Sequence, residues 1–108
     1  MSKRIAGPAT KTDLTIFQPI GTHQQRADLA AVQTLVRPNT DPTPTKLMVQ
    51  VVGQANVRFT IDGSVPTAAF GFRLTTGDAA VIITIHQSTV LQFIEEAATA
   101  TLNYCWGH

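Results

Sequence analysis

The stretch that decides the fold reads Asn-Val-Arg-Phe-Thr-Ile-Asp-Gly-Ser-Val-Pro-Thr-Ala-Ala-Phe-Gly-Phe and spans residues 56–72. Its first six residues alternate between polar and apolar. Val57, Phe59 and Ile61 fall on one side, and the polar residues between them fall on the other. This period of two predicts a strand with one face in a core and one face in water.

A rigid turn is predicted to end this strand. Asp62 can accept a hydrogen bond from the backbone two residues further on, and Gly63 tolerates a positive φ. Pro66 fixes its own φ and lacks an N–H group, so the strand does not resume there. Phe70 and Phe72 are then apolar at strand spacing. The stretch therefore predicts strand, turn and strand, with a structural role for the three turn residues.

Short alternating runs predict strands along most of the chain. The predicted strands cover residues 13–19, 31–36, 46–52, 56–61, 72–74, 80–85, 90–94 and 99–106. Gly, Pro, Asp and Ser turns separate them at close spacing, which favours an all-β fold. We predict a small antiparallel β-sandwich, jelly-roll-like and of about eight short strands, with a small barrel as the alternative.

Several segments leave local choices open. Residues 28–36 could form a short helix capped by Asp28, but we favour a strand because everything after it is β-like. Polar residues 21–27 are predicted to be a loop, and residues 95–98 a possible helical turn. Because the connection at Gly53 is short, strands 46–52 and 56–61 are predicted to form a hairpin.

Two segments are predicted to touch a partner. Residues 1–12 contain Lys3, Arg4 and Lys11 without an acid, and we predict an extended N-terminal arm; a solvated tail is the alternative. The sandwich domain then spans residues 13–108. A stiff surface loop at 37–45 is the second segment, because prolines exclude a helix or central strand there. Its predicted contact residues are Arg37, Pro38, Pro42 and Pro44.

The composition excludes several functional classes. Net charge is +1, which gives no case for direct binding to nucleic acid or to an anionic membrane. No run of about 18 apolar residues is present. Cys105 is the one cysteine, so it has no intramolecular disulfide partner, and it fits assembly in a reducing cytoplasm. Charged residues make up 14% of the chain, which favours a surface that packs against neighbours over a low-charge monomer.

Reactive residues do not form a recognisable catalytic or metal-ligating pattern. His23, His86 and His108 lie far apart, and no cysteine pair assists them. Most of the aspartates lie in or beside turns, where they serve the backbone. Arg58 and Arg73 are expected to pair across strands with Thr and Asn neighbours rather than to bind nucleic acid. We therefore predict no enzyme activity, no catalytic residue, no cofactor and no metal.

The motif at residues 57–72 resembles a pattern close to V-R-Y-T-x-D-G-T-x-P-T-A-x-x-G. Small β-rich virion proteins encoded among the structural genes of tailed bacteriophages often carry this pattern. The likeness extends over roughly residues 30–106 and includes Leu-Thr-Thr-Gly-Asp at 74–78 and Glu-Ala-Ala-Thr-Ala-Thr-Leu-Asn-Tyr at 96–104. It implies a structural role on the phage particle and supplies no catalytic residue.

The resemblance leads to the expectation of a capsid decoration (cement) protein. Such a protein would bridge major capsid subunits, assemble in the host cytoplasm and associate with copies of itself as a homotrimer or homodimer. A tail, neck or fibre position is one alternative. Similar Y-T-x-D-G-S-x-P-T strings in the β-sandwich modules of carbohydrate-active enzymes make a glycan-binding module the other. Trp106 is the one tryptophan and lies near the chain end, so an aromatic ligand platform is not evident.

Overall fold

A computed structural model describes residues 16–108. The predicted arm at 1–12 and the first part of the predicted strand at 13–19 lie outside these residues. Eight strands follow: β1 (Gln24–Arg26), β2 (Gln33–Leu35), β3 (Lys46–Gly53), β4 (Val57–Thr60), β5 (Phe72–Leu74), β6 (Val81–Thr84), β7 (Leu91–Glu95) and β8 (Ala100–Gly107). They form two four-stranded antiparallel sheets, which confirms the predicted all-β sandwich.

The strand order is that of a jelly roll. The β3–β8 sheet has the order β1-β8-β3-β6, and the β4–β7 sheet has the order β2-β7-β4-β5. The first strand thus pairs with the eighth, the second with the seventh, the third with the sixth and the fourth with the fifth. The chain is one long antiparallel ribbon folded over on itself.

Alternating side chains of both sheets fill the space between them. The buried residues include Leu35, Leu47, Val49, Val51, Val57, Phe59, Leu91, Phe93, Leu102 and Trp106. A row of three aromatic rings crosses the β4–β7 sheet. Phe93 stacks on Phe59 with ring centroids 5.5 Å apart, and Phe59 contacts Phe72 at 5.6 Å. The row therefore runs from the centre of the core to the edge strand β5.

The predicted hairpin between the third and fourth strands is wrong. Strand β3 belongs to one sheet and β4 to the other, so their short connection crosses the sandwich. Gly53 makes the crossing with φ of +106°, and a Cβ there would lie 2.7 Å from the carbonyl oxygen of Thr99. A short connection can join two strands of one hairpin or two strands of different sheets, so its length does not distinguish these arrangements.

Three local predictions in the first half of the chain have different outcomes. The segment 21–27 is not wholly a loop, because Gln24–Arg26 forms the edge strand β1. The strand favoured within 28–36 is confirmed by β2, and the helix is wrong. The last part of the segment predicted as strand 13–19 is not a regular strand, although Gln18 and His108 exchange backbone hydrogen bonds.

Two local predictions in the second half are wrong. Ile61 does not point into the core and is 43% exposed, because β4 ends at Thr60. The buried hydroxyl of Thr60 instead donates to the carbonyl oxygen of Ser64 and begins the turn. Residues 95–98 form no helical turn, since Glu95 ends β7 and a bend follows.

Candidate docking surface

The jelly-roll order brings three connections to the same end of the sandwich. They are the β2–β3 connection (36–45), the β4–β5 connection (61–71) and the β6–β7 connection (85–90). The Ile85 N–H donates to the Thr45 carbonyl oxygen at 2.8 Å, and the Val90 N–H donates to the Ile61 carbonyl oxygen at 3.0 Å. These bonds join the three connections into one surface.

Large exposed hydrophobic side chains gather at this end. The described residues hold seven of them: Ile16, Val36, Ile61, Val65, Phe70, Phe72 and Val90. We call the surface that they form the apolar end. Val36 is 78% exposed and shares a groove of about 280 Å³ with Val90. Ile61, Phe70 and Phe72 line a second groove of about 510 Å³, and the backbone hydrogen bond from Val90 to Ile61 links the residues of the two grooves.

The opposite end has a different character. We call it the polar end, and its connections are 27–32, 54–56, 75–80 and 96–99. None of the large exposed hydrophobic side chains of residues 16–108 lies there. The hydrophobic residues that this end does carry are small or point inward, as Leu29 does. The sandwich is therefore apolar at one end and polar at the other.

The Asp-Gly turn shapes the apolar end. The Ser64 N–H donates to Asp62 Oδ1 at 3.0 Å, and this backbone hydrogen bond lowers the pKa of the Asp62 carboxyl. Gly63 has φ of +89°, and Pro66 is buried. Thr67 and Phe70 exchange two backbone hydrogen bonds of 3.1 Å. These bonds hold the loop in the shape that displays Val65 and Phe70 to solvent.

The apolar end also includes most of the predicted contact residues that the structure describes. Arg37, Pro38 and Pro42 lie in its β2–β3 connection, and Arg37 Nη1 donates to the Pro44 carbonyl oxygen at 3.4 Å. Pro44 itself is almost fully buried, which corrects its predicted place in a partner contact. The predicted contact residues Lys3, Arg4 and Lys11 lie outside the described residues. The first described residue, Ile16, is at the apolar end.

Sequence reasoning missed the apolar side chains of this surface. Val36 is the last residue of a predicted strand, and Val65 and Phe70 lie between two predicted strands; apolar residues of this size are more often buried. Nothing in the local pattern separates them from core residues. Their common location becomes visible only once the strand order places their three connections together.

An ion-pair cluster lies on the outer face of the β4–β7 sheet. Strands β4 and β5 pair Arg58 directly with Arg73, and both guanidinium groups bind Glu96 Oε2, at 2.6 and 2.8 Å from their Nε atoms. The partner is thus a carboxylate and not the Thr and Asn neighbours that we expected. Hydrogen bonding, from Arg73 first and then from Arg58, lowers the pKa of Glu96.

Replacing Glu96 with glutamine is expected to destabilise the fold modestly. Two like charges would then face each other across β4 and β5, at a cost of about 1 kcal/mol. Because the folded-state pKa of Glu96 is lowered, its contribution is present above the unfolded value of 4.5 and is lost as the pH falls through the folded value. Urea unfolding at pH 7 and pH 3 should show a larger difference between wild type and Glu96→Gln at pH 7 than at pH 3. Asp78→Asn at the polar end is the control; an equal loss in both variants would contradict the cluster's role.

Cys105 and the two aromatic residues beside it in sequence, Tyr104 and Trp106, lie in strand β8. Cys105 is buried beside Met48, and burial raises the pKa of its thiol. Within residues 16–108, no group of three or more His, Cys, Asp or Glu side chains is placed to hold a metal ion. The same residues include no helix long and apolar enough to cross a membrane. Trp106 is buried and packs edge-on against Tyr104 at 6.3 Å, so this pair does not form an exposed aromatic platform.

Comparison of the chain with protein-family models, curated proteins and solved structures gave no match. Function is therefore inferred from the geometry of the surface and from the resemblance of the motif at 57–72. The apolar end is the feature that the fold alone does not require. Exposed apolar patches of this kind mark contact sites for other molecules.

Proposed function

We propose that the chain is a structural protein of a tailed-phage particle, a capsid decoration (cement) protein that binds major capsid subunits through its apolar end. The observation that carries the proposal is the collection of large exposed hydrophobic side chains at one end of the sandwich. The resemblance of the motif at 57–72 to virion proteins supports the same role. A tail, neck or fibre position would use the same surface against a different particle protein.

Two exposed aromatic rings at the apolar end would supply part of a protein contact. Phe70 and Phe72 are each more than half exposed. A buried aromatic side chain hides about 150–250 Å², so these two rings offer on the order of 200 Å². A standard interface buries about 800 Å² per partner, and the surrounding loops would supply the rest. At about 25 cal/mol per Å², the two rings contribute roughly 5 kcal/mol before the costs of association.

A rigid sandwich that binds across a joint between subunits would stabilise a shell by linkage. A ligand that binds the assembled state and not the separated subunits shifts the equilibrium towards assembly. Backbone hydrogen bonds hold the three connections of the apolar end together. Binding would therefore require little further ordering of these loops. The polar end would then face solvent, which suits its lack of large exposed hydrophobic side chains.

The test is binding to phage particles assembled without the chain. Such particles come from a genome in which its coding sequence has been deleted. The double variant Val36→Ser/Phe70→Ser removes two exposed side chains that the core does not need, and we expect binding about 30- to 100-fold weaker with unchanged melting. Thr75→Ser/Ala97→Ser at the polar end is the control and should bind as wild type does.

Two results would contradict the proposal. One is the absence of peptides of this chain from purified mature particles, measured by mass spectrometry. The other is equal particle binding by wild type and the Val36→Ser/Phe70→Ser variant.

One observation favours a glycan-binding module as a second candidate. The groove of about 510 Å³ places Phe70 and Phe72 beside the polar groups of Asp62 and Ser64. Aromatic rings next to hydrogen-bonding groups suit a sugar, which is apolar on its faces and polar at its rim. A glycan array should then give binding that Phe72→Ala abolishes, and an array without binding would remove this candidate.

A further inference from the structure

We propose that His23, Met48 and Cys105 form a binding site for Cu(I) on the outer face of the β3–β8 sheet. The inference goes beyond the proposed function, because it concerns a different face of the molecule and does not depend on what the apolar end binds. It rests on three side chains that are distant in sequence and that the strand pairing brings into one row.

Two sulfur-containing side chains are neighbours across β3 and β8. Met48 lies between Leu47 and Val49, which are buried in the core, so alternation places its side chain on the outer face. Cys105 pairs directly with Met48 in the register of the sheet. Directly opposed residues of an antiparallel pair share a face, with Cβ atoms about 4.5–5.5 Å apart. The thioether and the thiol therefore lie side by side on the outer face.

The imidazole of His23 lies at the end of the same row. Gln24 pairs with Tyr104, so His23, the residue before β1, comes beside Cys105 at the sheet edge. Two grooves of about 230 and 460 Å³ open on this face, and His23, Met48 and Cys105 line both of them. His23 is exposed, so its ring can turn towards the two sulfur atoms. The three side chains thus meet where the two grooves adjoin.

The donor set determines which ion fits. Thiolate and thioether are soft ligands that select Cu(I), and imidazole also suits copper. Structural zinc sites take four ligands from thiolate, imidazole and carboxylate groups, and a thioether is not among them. The row has three donors, and no group of three or more His, Cys, Asp or Glu side chains within residues 16–108 is placed to complete a zinc site. Two soft sulfur donors and one imidazole therefore favour Cu(I) over zinc.

The charge of the site also favours a monovalent cation. Among the described residues, none of the others that line the two grooves is charged. When Cu⁺ binds, the Cys105 thiol releases its proton to water, and the cation and the thiolate together are neutral. A divalent ion would leave a net positive charge beside the thiolate, with no second anion to compensate it.

The surroundings of Cys105 shield its sulfur from solvent. The residue is 3% exposed, and the buried side chain of Phe17 lines the same groove. Its Sγ donates a weak hydrogen bond to the Trp106 carbonyl oxygen at 3.5 Å, which a metal–sulfur bond would replace. The alternative is that the two sulfur side chains only pack under Phe17. A variant that keeps the shape of Met48 and removes its sulfur distinguishes the two.

The experiment titrates the full chain with Cu(I) without oxygen, in competition with a chromogenic Cu(I) chelator. Wild type should bind one Cu(I) per chain. Met48→Leu keeps the side-chain volume, and His23→Gln changes an exposed residue, so both should melt as wild type does. Each should bind Cu(I) at least about tenfold more weakly, because losing even a supporting group around a metal has an effect of that size. His86→Gln, which removes an exposed histidine outside the row, should bind as wild type does.

Copper X-ray absorption of the loaded chain identifies the ligands directly. We expect two sulfur neighbours and one nitrogen neighbour in wild type, and a single sulfur neighbour in Met48→Leu. Wild-type affinity in Met48→Leu or in His23→Gln would overturn the inference. So would a wild-type spectrum with a single sulfur neighbour, which would place the ion on Cys105 alone, or Zn(II) binding as tight as that of Cu(I). A chain that binds Cu(I) in this way but does not bind phage particles would refute the proposed function and leave the copper site intact.

Discussion

Replacing Phe93 with alanine is expected to lower the free energy of unfolding by about 3–5 kcal/mol. Phe93 is fully buried at the centre of the β4–β7 sheet, where it pairs with Phe59 on β4 and Gln33 on β2. Its ring stacks on that of Phe59 at 5.5 Å. Removing it leaves a cavity that the strands on both sides prevent from closing.

The loss is a large fraction of the stability of a small protein, which is typically about 5–15 kcal/mol. Urea unfolding followed by tryptophan fluorescence would measure it, because the one tryptophan is buried in the same core. Phe93→Leu keeps most of the volume and should cost less than half as much. Phe72→Ala, at the exposed end of the same aromatic row, should cost about 1 kcal/mol. Equal losses at positions 93 and 72 would contradict the burial pattern.

Replacing Gly71 with alanine is expected to cost about 2–4 kcal/mol. Gly71 has φ of +121°, which residues with a Cβ rarely adopt, and it lies against the backbone of Phe59. A Cβ at this position would lie 2.8 Å from the Phe59 carbonyl oxygen. Strand β5 would have to move away from β4, because that oxygen is fixed by the sheet.

Gly63 provides a matched control for this prediction. Its φ of +89° is also positive, but a Cβ there would meet no atom within 4 Å. Gly63→Ala should therefore cost only the conformational strain, roughly 1–2 kcal/mol. Thermal melting of both variants would compare them. A Gly63→Ala variant that is less stable than Gly71→Ala would contradict the close approach of β5 to β4.

Strands with strict alternation and one buried face could be predicted from the sequence. Strand β3 carries Leu47, Val49 and Val51 on its buried face, and β8 carries Leu102 on the same side of its sheet. These residues show a period of two because only one face of each strand is turned towards the core. The fold class followed from the number and spacing of such strands.

Edge strands and strand partners could not be predicted in the same way. Strand β1 has the sequence Gln-Gln-Arg and is mostly exposed, so it has no apolar face to reveal it. The short connection after Gly53 crosses between sheets, and the residues that decide this, such as Thr99 and Ala100, are distant in sequence. Long-range packing, which local patterns do not encode, settles both features.

The candidate site was predicted only in part. The residues at 37–45 were singled out because prolines make a stiff loop, and that loop lies at the apolar end. The apolar side chains around that loop could not be predicted to be exposed. The exposure of Val36 or Phe70 depends on where the strands end and on which connections meet. The motif at 56–72 contributes more to the apolar end than its turn chemistry predicted, since its loop displays Val65 and Phe70.

A cryo-EM map of the whole phage particle tests the central claim most directly. We expect density for the sandwich on the shell, with the connections 36–45, 61–71 and 85–90 facing major capsid subunits and the polar end facing solvent. A map in which the sandwich contacts the shell through its polar end, with Val36, Phe70 and Phe72 exposed to solvent, would contradict it.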